Sequence, residues 1–211
     1  MPAEEGRRAE RREALLRAVA YAAEQFLRSG DWRECIGAVL ERLGTAADVS
    51  CVRLFENRPD PNGDIFAVQR HRWTAGGVPA EAANVASPGR PYETSGLGRW
   101  REELSRGGLI GGPVAELPAA EQEALRSAGI LSILVVPVPV GEAWWGTLGF
   151  DDVREARVWT TNERELLRAA ASMLGAAIQR HRSEELAKLN QERLALALEG
   201  TGQGLWDWDI P

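Results

Sequence analysis

The side chains best suited to acid–base or nucleophilic chemistry are few and widely separated in this sequence. There are two histidines, His71 and His181, and two cysteines, Cys35 and Cys51. A nucleophile needs a base within hydrogen-bond reach, and a zinc site needs ligands at close, regular spacing. The sequence contains no Gly-x-Ser-x-Gly motif, no paired-cysteine spacing and no histidine pair at helical spacing. It therefore predicts no catalytic residue and no metal site.

Two other segments are candidates for binding a cation or a phosphate. Asp151 and Asp152 are adjacent on a predicted strand, so their side chains point to opposite faces. This favours a structural role at the strand end, with Arg154 or Arg157 as partner, over a cation site. The run 107–112 is rich in glycine but lacks the Gly-Lys-Ser/Thr sequence of a phosphate loop.

The overall composition is that of a protein with a buried core and an acidic surface. The 211 residues are 44% apolar and carry a formal net charge of −6. Nucleic-acid binding needs a basic surface, so we expect no nucleic-acid partner. No apolar run reaches the length of a bilayer span, and two cysteines in a chain of this length favour a reducing compartment. We therefore expect a cytoplasmic location and no membrane contact within this sequence.

The segment that organises the predicted sheet is a hairpin of two apolar strands. Leu131–Val140 is rich in valine, isoleucine and leucine, and Ala143–Phe150 follows after a turn at Gly141. Neighbouring strand residues point to opposite faces, so Trp144 and Trp145 should lie on different sides of the sheet. A hairpin this apolar needs further strands and a helical layer to cover it.

The first half of the sequence supplies two helices and two strands. Apolar spacing of three and four predicts a helix over Glu4–Leu27. A second helix should begin at Asp31, which is placed to cap it, and end at Gly44. Val49–Glu56 and Ile65–Trp73 read as paired strands, with His71 on the polar face of the second strand.

The second half supplies the irregular segment and a long helix. Thr74–Gly98 is rich in glycine, proline, alanine and serine, a composition typical of a functional lid or of disorder. Short helices are predicted at Arg99–Arg106 and Pro118–Ser127. A long helix, capped by Thr161 or Asn162, should run to residue 198, with His181 on its solvated side. The alternation at 205–210 predicts one more strand.

This order of elements predicts an α+β fold with a central, mainly antiparallel sheet. Strands joined by short loops pair as hairpins. The helices from the two ends of the sequence should pack on one face of the sheet, and the irregular segment with its short helices on the other.

Six short segments, taken in this order, form a combination more specific than any one of them. They are LGTAADVS at 43–50, RHRW at 70–73, LP at 117–118, GILSILVVPV at 129–138, WWGTLGFDD at 144–152 and VWTTNE at 158–163. Together they resemble the GAF domain family of small-molecule sensors. The tail RLALALEGTGQGLWDWD at 193–209 resembles the opening of a PAS domain.

The resemblance implies a GAF-like or profilin-like domain at 14–182, a helical extension at 1–13, a helical linker at 183–199 and a truncated PAS start at 200–211. It also implies a non-catalytic sensory domain of a bacterial signalling protein, of the histidine kinase or diguanylate cyclase type. Such a domain would form a homodimer through its terminal helices and act on an output domain elsewhere. Two alternatives stay open: a dimerisation spacer that binds no ligand, and a methionine sulfoxide reductase, which needs cysteines near its pocket.

The cofactors of GAF relatives can be compared with this sequence. Relatives that hold a tetrapyrrole use a cysteine, often followed by histidine, in the region matching 74–127, where this sequence has neither. The Asn-Lys-Phe-Asp-Glu signature of cyclic-nucleotide binders is absent, since the sole lysine is Lys188. Haem ligation would need a histidine in the pocket, and His71 is the only remote candidate. We therefore expect no cofactor.

The remaining expectation is a pocket between the sheet and the irregular segment, open to an unidentified small molecule. The alternative is that large apolar side chains fill this space themselves. The predicted ligand-binding residues are Trp73, Trp100, Leu104, Leu109 and Ile110.

Overall fold

The computed structural model describes residues 2–61, 63–78, 91–126 and 128–201. The helices are α1 (Pro2–Arg28), α2 (Trp32–Ala47), α3 (Gly98–Ser105), α4 (Ala119–Arg126) and α5 (Thr161–Thr201), and the strands are β1 (Cys51–Pro59), β2 (Ile65–Thr74), β3 (Ile110–Pro113), β4 (Ser132–Val140) and β5 (Ala143–Asp152). A short 3-10 turn follows β3.

The five strands form one sheet in the order β2-β1-β5-β4-β3, and every neighbouring pair is antiparallel. The predicted hairpin is present: β4 pairs with β5, which is the central strand of the sheet. Gly141, in the turn between them, has a φ of 60°. Glycine adopts this left-handed conformation without the steric penalty of a Cβ atom. The predicted α+β fold and the antiparallel sheet are confirmed.

The two faces of the sheet carry two separate cores. The helix-side core lies between the sheet and α1, α2 and α5, and the outer core lies between the sheet and α3 and α4. Trp145 belongs to the helix-side core, where its ring is 6.0 Å from that of Trp32, and Trp144 packs against the outer core. The adjacent tryptophans therefore lie on opposite faces, as predicted. Representative members are Leu40, Leu54, Phe150 and Leu174 for the helix-side core, and Trp100, Leu104, Ile110 and Ile133 for the outer core.

The second helix starts where predicted but ends later. Asp31 caps it, and its Oδ1 accepts a hydrogen bond of 2.9 Å from the Arg33 backbone N–H. Gly44 does not end the helix, which continues to Ala47 with Asp48 in the left-handed conformation as its C-cap. Gly44 instead allows close packing, because an added Cβ would overlap the indole ring of Trp73.

The long helix begins one residue earlier than the predicted caps allow. Thr160 is the capping residue, since its Oγ1 lies 3.3 Å from the Glu163 backbone N–H. Glu163 Oε2 in turn accepts a 2.8 Å hydrogen bond from the Thr160 backbone N–H. This reciprocal pair is a capping box, so the prediction of Thr161 or Asn162 as the cap was wrong.

His71 lies on the helix-covered face rather than on a polar face. Its ladder partner is Leu54, a member of the helix-side core, and its ring meets Trp32 edge-on at 5.7 Å. Burial, followed by the charges of Arg70 and Arg33, lowers the pKa of His71 below its ordinary value. A β-bulge beside Leu54 shifts the register there, which simple alternation along β2 does not reveal.

Two predicted regions lie outside the described residues in whole or in part. The irregular segment is described at 74–78 and 91–98, and the predicted last strand at 205–210 falls beyond residue 201. None of the described helices has the length and apolarity that crossing a bilayer requires.

Candidate functional site

A cavity of about 650 Å³ lies on the outer face of the sheet, a volume within the usual range for small-molecule sites. The sheet forms its floor, and the turn at 92–97 together with α3 and α4 forms its walls. Its lining residues come from elements distant in sequence, which the sheet register brings together. Among them are Arg53, Thr147, Gly149 and Asp151 of β1 and β5, Tyr92 and Trp100 of the wall, and Leu125, Ile130, Ile133 and Val135 at the other end of the cavity.

A buried ion pair forms one end of the floor. The Arg53 guanidinium is paired through Nη1 with Asp151 Oδ2, and each residue is only 2% exposed. The two lie diagonally across the β1–β5 ladder, because Cys51 is the direct partner of Asp151 and Gly149 that of Arg53. Burial lowers the pKa of Arg53, but a guanidinium keeps its proton in proteins.

Gly149 leaves open space opposite Arg53. The atom nearest to a Cβ added there would be the Arg53 carbonyl oxygen, at a distance of 4.0 Å. Any larger side chain at this position would therefore project from the floor into the cavity without striking the sheet.

Tyr92 and Thr147 extend the polar end of the cavity. The Tyr92 hydroxyl donates a 3.1 Å hydrogen bond to Asn57 Oδ1, and its ring lies 5.5 Å from that of Trp144. Burial raises the pKa of Tyr92 well above its ordinary value, so the hydroxyl is a neutral group at physiological pH. Thr147, on β5, is also buried.

The wall is held in place by a charged group just behind it. Glu121, 2% exposed, accepts a 2.9 Å hydrogen bond from Trp100 Nε1 and two from Arg99, at 2.6 and 2.8 Å. These bonds join α3 to α4 and fix the indole of Trp100 along the cavity. A paired, hydrogen-bonded carboxylate tolerates burial of this depth.

The opposite end of the cavity is apolar. Leu125 and Ile130 contribute from α4 and the segment after it, and Ile133 and Val135 from β4. All four belong to the outer core. The cavity therefore has a polar end over β1 and β5 and an apolar end over β4.

The structure separates the five residues predicted to bind a ligand. Trp100 lines the cavity, and Leu104 and Ile110 belong to the outer core behind it. Trp73 and Leu109 pack against the helix-side core, and the Trp73 indole lies against Gly44. A role in ligand binding stays a prediction for all five residues.

Sequence reasoning missed the ion pair because it depends on long-range register. Arg53 is one of many arginines in the sequence. Only the alternation along β1 indicates that its side chain lies on the face of the sheet opposite the helix-side core. The structural role predicted for the aspartate pair holds for Asp152, whose Oδ1 accepts hydrogen bonds from Ser50 at 2.8 Å and from Arg154 at 3.2 Å. Arg157 binds Glu163 instead, at 2.6 Å.

The described lining has binding groups but no reactive pair. It contains no histidine and no cysteine. Cys51 is buried on β1 with its Sγ 3.6 Å from Thr74 Oγ1, and Cys35 belongs to the helix-side core. Across 2–61, 63–78, 91–126 and 128–201, no three acidic, histidine or cysteine side chains are grouped to hold a metal ion.

A second feature lies on the other face, where α5 leaves the domain. Arg180 Nη2 donates to the carbonyl oxygens of Phe26, at 2.5 Å, and Ser29, at 2.9 Å. His181 Nδ1 lies 3.2 Å from the Gly30 carbonyl oxygen. These contacts tie α5 to the end of α1, and from residue 182 to 196 every side chain on α5 is exposed.

Comparison with known proteins gives consistent matches. The model of the GAF domain family matches residues 31–178. The methanogenesis regulatory histidine kinase FilI of Methanothrix harundinacea (strain 6Ac) is 35% identical over 173 residues, which are 82% of this chain and 19% of that protein. An uncharacterized protein of Azorhizobium caulinodans is 25% identical over 182 residues, which are 76% of this chain and 25% of that protein. The chain thus spans about a fifth to a quarter of the length of these relatives.

Two solved structures illustrate the shared fold. The phycoerythrobilin-bound GAF domain of a cyanobacterial phytochrome has a TM-score of 0.61 and 17% identity, covering 82% of this chain and 97% of that one. The GAF domain of the cyanobacteriochrome TePixJ has a TM-score of 0.60 and 18% identity, covering 75% of this chain and 95% of that one. At this level of identity, the likeness shows the fold.

Proposed function

The chain belongs to the GAF domain family, and we propose that it is a non-catalytic regulatory domain that binds a small molecule in the cavity described above. The observation that carries the proposal is the cavity itself: the large side chains around it do not fill it, and its volume is about 650 Å³. Its lining combines an apolar end with a few oriented polar groups, which is typical of ligand sites. The similarity to a regulatory histidine kinase supports a place in signal transduction.

The proposal extends to a relay through α5. The first half of this helix packs on β4 and belongs to the helix-side core, whereas the side chains from residue 182 to 196 are exposed. A ligand that favours one of two arrangements of this helix would shift the population between them. The output domain, of the kinase or cyclase type, and a PAS domain starting near residue 200 would then respond, all in the cytoplasm.

The exposed half of α5 supports a homodimer. Between residues 182 and 196, where the side chains are described, four leucines are exposed and have no cover within the single chain: Leu186, Leu189, Leu194 and Leu196. Sedimentation of the chain at increasing concentration measures this directly. A strict monomer at high concentration would refute the dimer and leave the cavity proposal intact.

The binding experiment uses N-phenyl-1-naphthylamine, an uncharged fluorophore that brightens in apolar sites. Gly149→Leu should abolish binding, because its side chain would enter the cavity from open space on the floor. Gly37→Leu is the matched control, since Gly37 is exposed on α2 with nothing near its added Cβ. Saturable binding by the wild type and Gly37→Leu, but not by Gly149→Leu, supports the proposal.

Two other results would overturn the ligand-binding function. If the wild type binds no probe, a dimerisation spacer without a ligand is the better description. If Gly149→Leu binds as well as the wild type, the probe occupies another surface. The reductase alternative gains nothing from the geometry, because neither cysteine lines the cavity.

A further inference from the structure

Two aromatic side chains line the cavity while their polar atoms are bonded elsewhere. Trp100 has one donor, its indole N–H, and this N–H donates to Glu121 just behind the wall at 2.9 Å. Tyr92 donates its hydroxyl proton to Asn57 Oδ1 at 3.1 Å. Neither acceptor belongs to the described lining. Both aromatic residues therefore offer mainly ring surface to the interior of the cavity.

The same hydrogen bonds hold the two rings in place. Glu121 is itself fixed by two hydrogen bonds from Arg99, and Asn57 Nδ2 donates to the Trp144 carbonyl oxygen at 3.3 Å. The rings are thus ordered before a ligand arrives, so binding costs less side-chain entropy. Ordered ring surface favours an aromatic ligand, because offset and edge-to-face ring pairs contribute more than the area they bury.

The charges of the lining are compensated within the chain. The charged side chains among the described lining residues are Arg53, Asp151 and Glu123. Arg53 pairs with Asp151, and Glu123, whose side chain is 70% exposed, accepts a 2.5 Å hydrogen bond from Arg126 Nη1. An ion entering the cavity would lose its hydration and would have to compete with these existing partners. An uncharged ligand avoids both costs.

We propose that the cavity binds an uncharged aromatic molecule, held by the rings of Trp100 and Tyr92 and by the apolar side chains of Ile133 and Val135. The inference rests on the proposed ligand-binding function and names the chemical class of the ligand. All four residues line the cavity, and Ile133 and Val135 supply the apolar part of its floor on β4.

The experiment compares four competitors with the same fused-ring carbon skeleton. Each displaces N-phenyl-1-naphthylamine from the full chain, and the loss of fluorescence gives its dissociation constant. 2-Naphthalenemethanol is uncharged and aromatic, 2-naphthoate is an anion, 2-naphthylmethylammonium is a cation, and decahydro-2-naphthalenemethanol is the saturated alcohol. We expect the aromatic alcohol to bind at least about tenfold more tightly than either ion. It should bind about threefold more tightly than the saturated alcohol.

Two substitutions at Trp100 separate its ring from its N–H. Trp100→Leu and Trp100→Phe both remove the hydrogen bond to Glu121, which keeps its pair with Arg99. Only Trp100→Phe keeps an aromatic surface, so it is the matched control. It should retain the preference for the aromatic over the saturated alcohol, whereas Trp100→Leu should reduce that preference to less than about twofold.

The outcomes separate this inference from the function on which it rests. If the wild type binds N-phenyl-1-naphthylamine but either ion competes as well as the aromatic alcohol, the ligand is not of the uncharged class. If the saturated alcohol competes equally well, or Trp100→Leu keeps the full preference, the proposed ring contact is wrong. If the folded wild type does not bind N-phenyl-1-naphthylamine, the ligand-binding function is overturned as well. Circular dichroism verifies the fold of each variant, and the competitor series on the wild type decides the inference if a variant unfolds.

Discussion

Replacing Gly44 by alanine tests the closest contact between α2 and the sheet. The added methyl would overlap the six-membered ring of Trp73 and lie 2.9 Å from Val52 Cγ2. Because Val52 is on a central strand and fully buried, the methyl cannot be accommodated by moving that side. Either the indole must leave its place or α2 must move away from β1 and β2.

The expected magnitude is the difference of two opposing effects. Overpacking a well-filled core costs about 1–3 kcal/mol, and the overlap with both ring and strand puts this site at the upper end. Alanine is favoured over glycine in a helix by about 1 kcal/mol. Gly44→Ala should therefore lower the free energy of unfolding by about 2 kcal/mol.

Gly37 provides the control on the same helix. It is exposed, and a Cβ added there meets nothing within 4 Å. Gly37→Ala gains the helical preference without overpacking, so it should raise the free energy of unfolding by about 1 kcal/mol. Urea unfolding followed by far-ultraviolet circular dichroism measures both variants under one set of conditions.

A double-mutant cycle identifies the source of the loss. In a Trp73→Ala background the ring is absent, so Gly44→Ala should cost little or become stabilising. The reasoning is refuted if Gly44→Ala stabilises the protein as Gly37→Ala does. It is also refuted if the loss is as large without the indole as with it.

Other changes test the remaining close contacts and charges. Gly175→Ala should lower the urea midpoint strongly, because its methyl would overlap the Pro139 carbonyl oxygen and push α5 off β4; an unchanged midpoint contradicts that packing. Asp152 is buried, which raises its pKa, but hydrogen bonds from Arg154 outweigh this, so its folded pKa lies below 3.8. The stabilisation by ionised Asp152 is present above pH 3.8 and is lost as the pH falls through the folded pKa. Asp152→Asn should therefore make the free energy of unfolding depend less on pH at the acid end of the curve. An unaltered dependence refutes this. Burial and nearby arginines lower the pKa of His71, so its imidazole should titrate below pH 6.5 when followed by NMR. The neutral ring's contribution to the free energy of unfolding should then be lost as the pH falls below 6.5. A pKa above 6.5 contradicts the placement of His71 on the helix-covered face.

Local patterns were enough to predict the sheet. The apolar hairpin, its glycine turn and the opposite placement of Trp144 and Trp145 all follow from the two-residue period of a strand. The helix start at Asp31 follows from a side-chain oxygen that accepts a hydrogen bond from a first-turn N–H. Both depend on neighbours in the sequence.

Features that depend on distant partners could not be predicted in this way. Gly44 resembles a helix end in sequence, and only Trp73, 29 residues later and folded against it, explains why glycine is there. The cavity floor is similar, because Arg53 and Asp151 meet only through the β1–β5 register. A bulge beside Leu54 likewise moved His71 to the unexpected face.

The hydrogen bonds from Arg180 to the end of α1 fix α5 in rotation as well as in position. An α-helix turns by about 100° and rises by about 1.5 Å with each residue. Each residue inserted after Arg182 would therefore swing the exposed leucine face around the helix axis while the cavity stayed unchanged. An insertion of seven residues, which is close to two full turns, would nearly restore the original orientation of the leucine face. The number of residues in this helix therefore sets the direction in which its exposed leucine face points relative to the domain. A partner that binds this face would depend on that number as much as on which residues form the face.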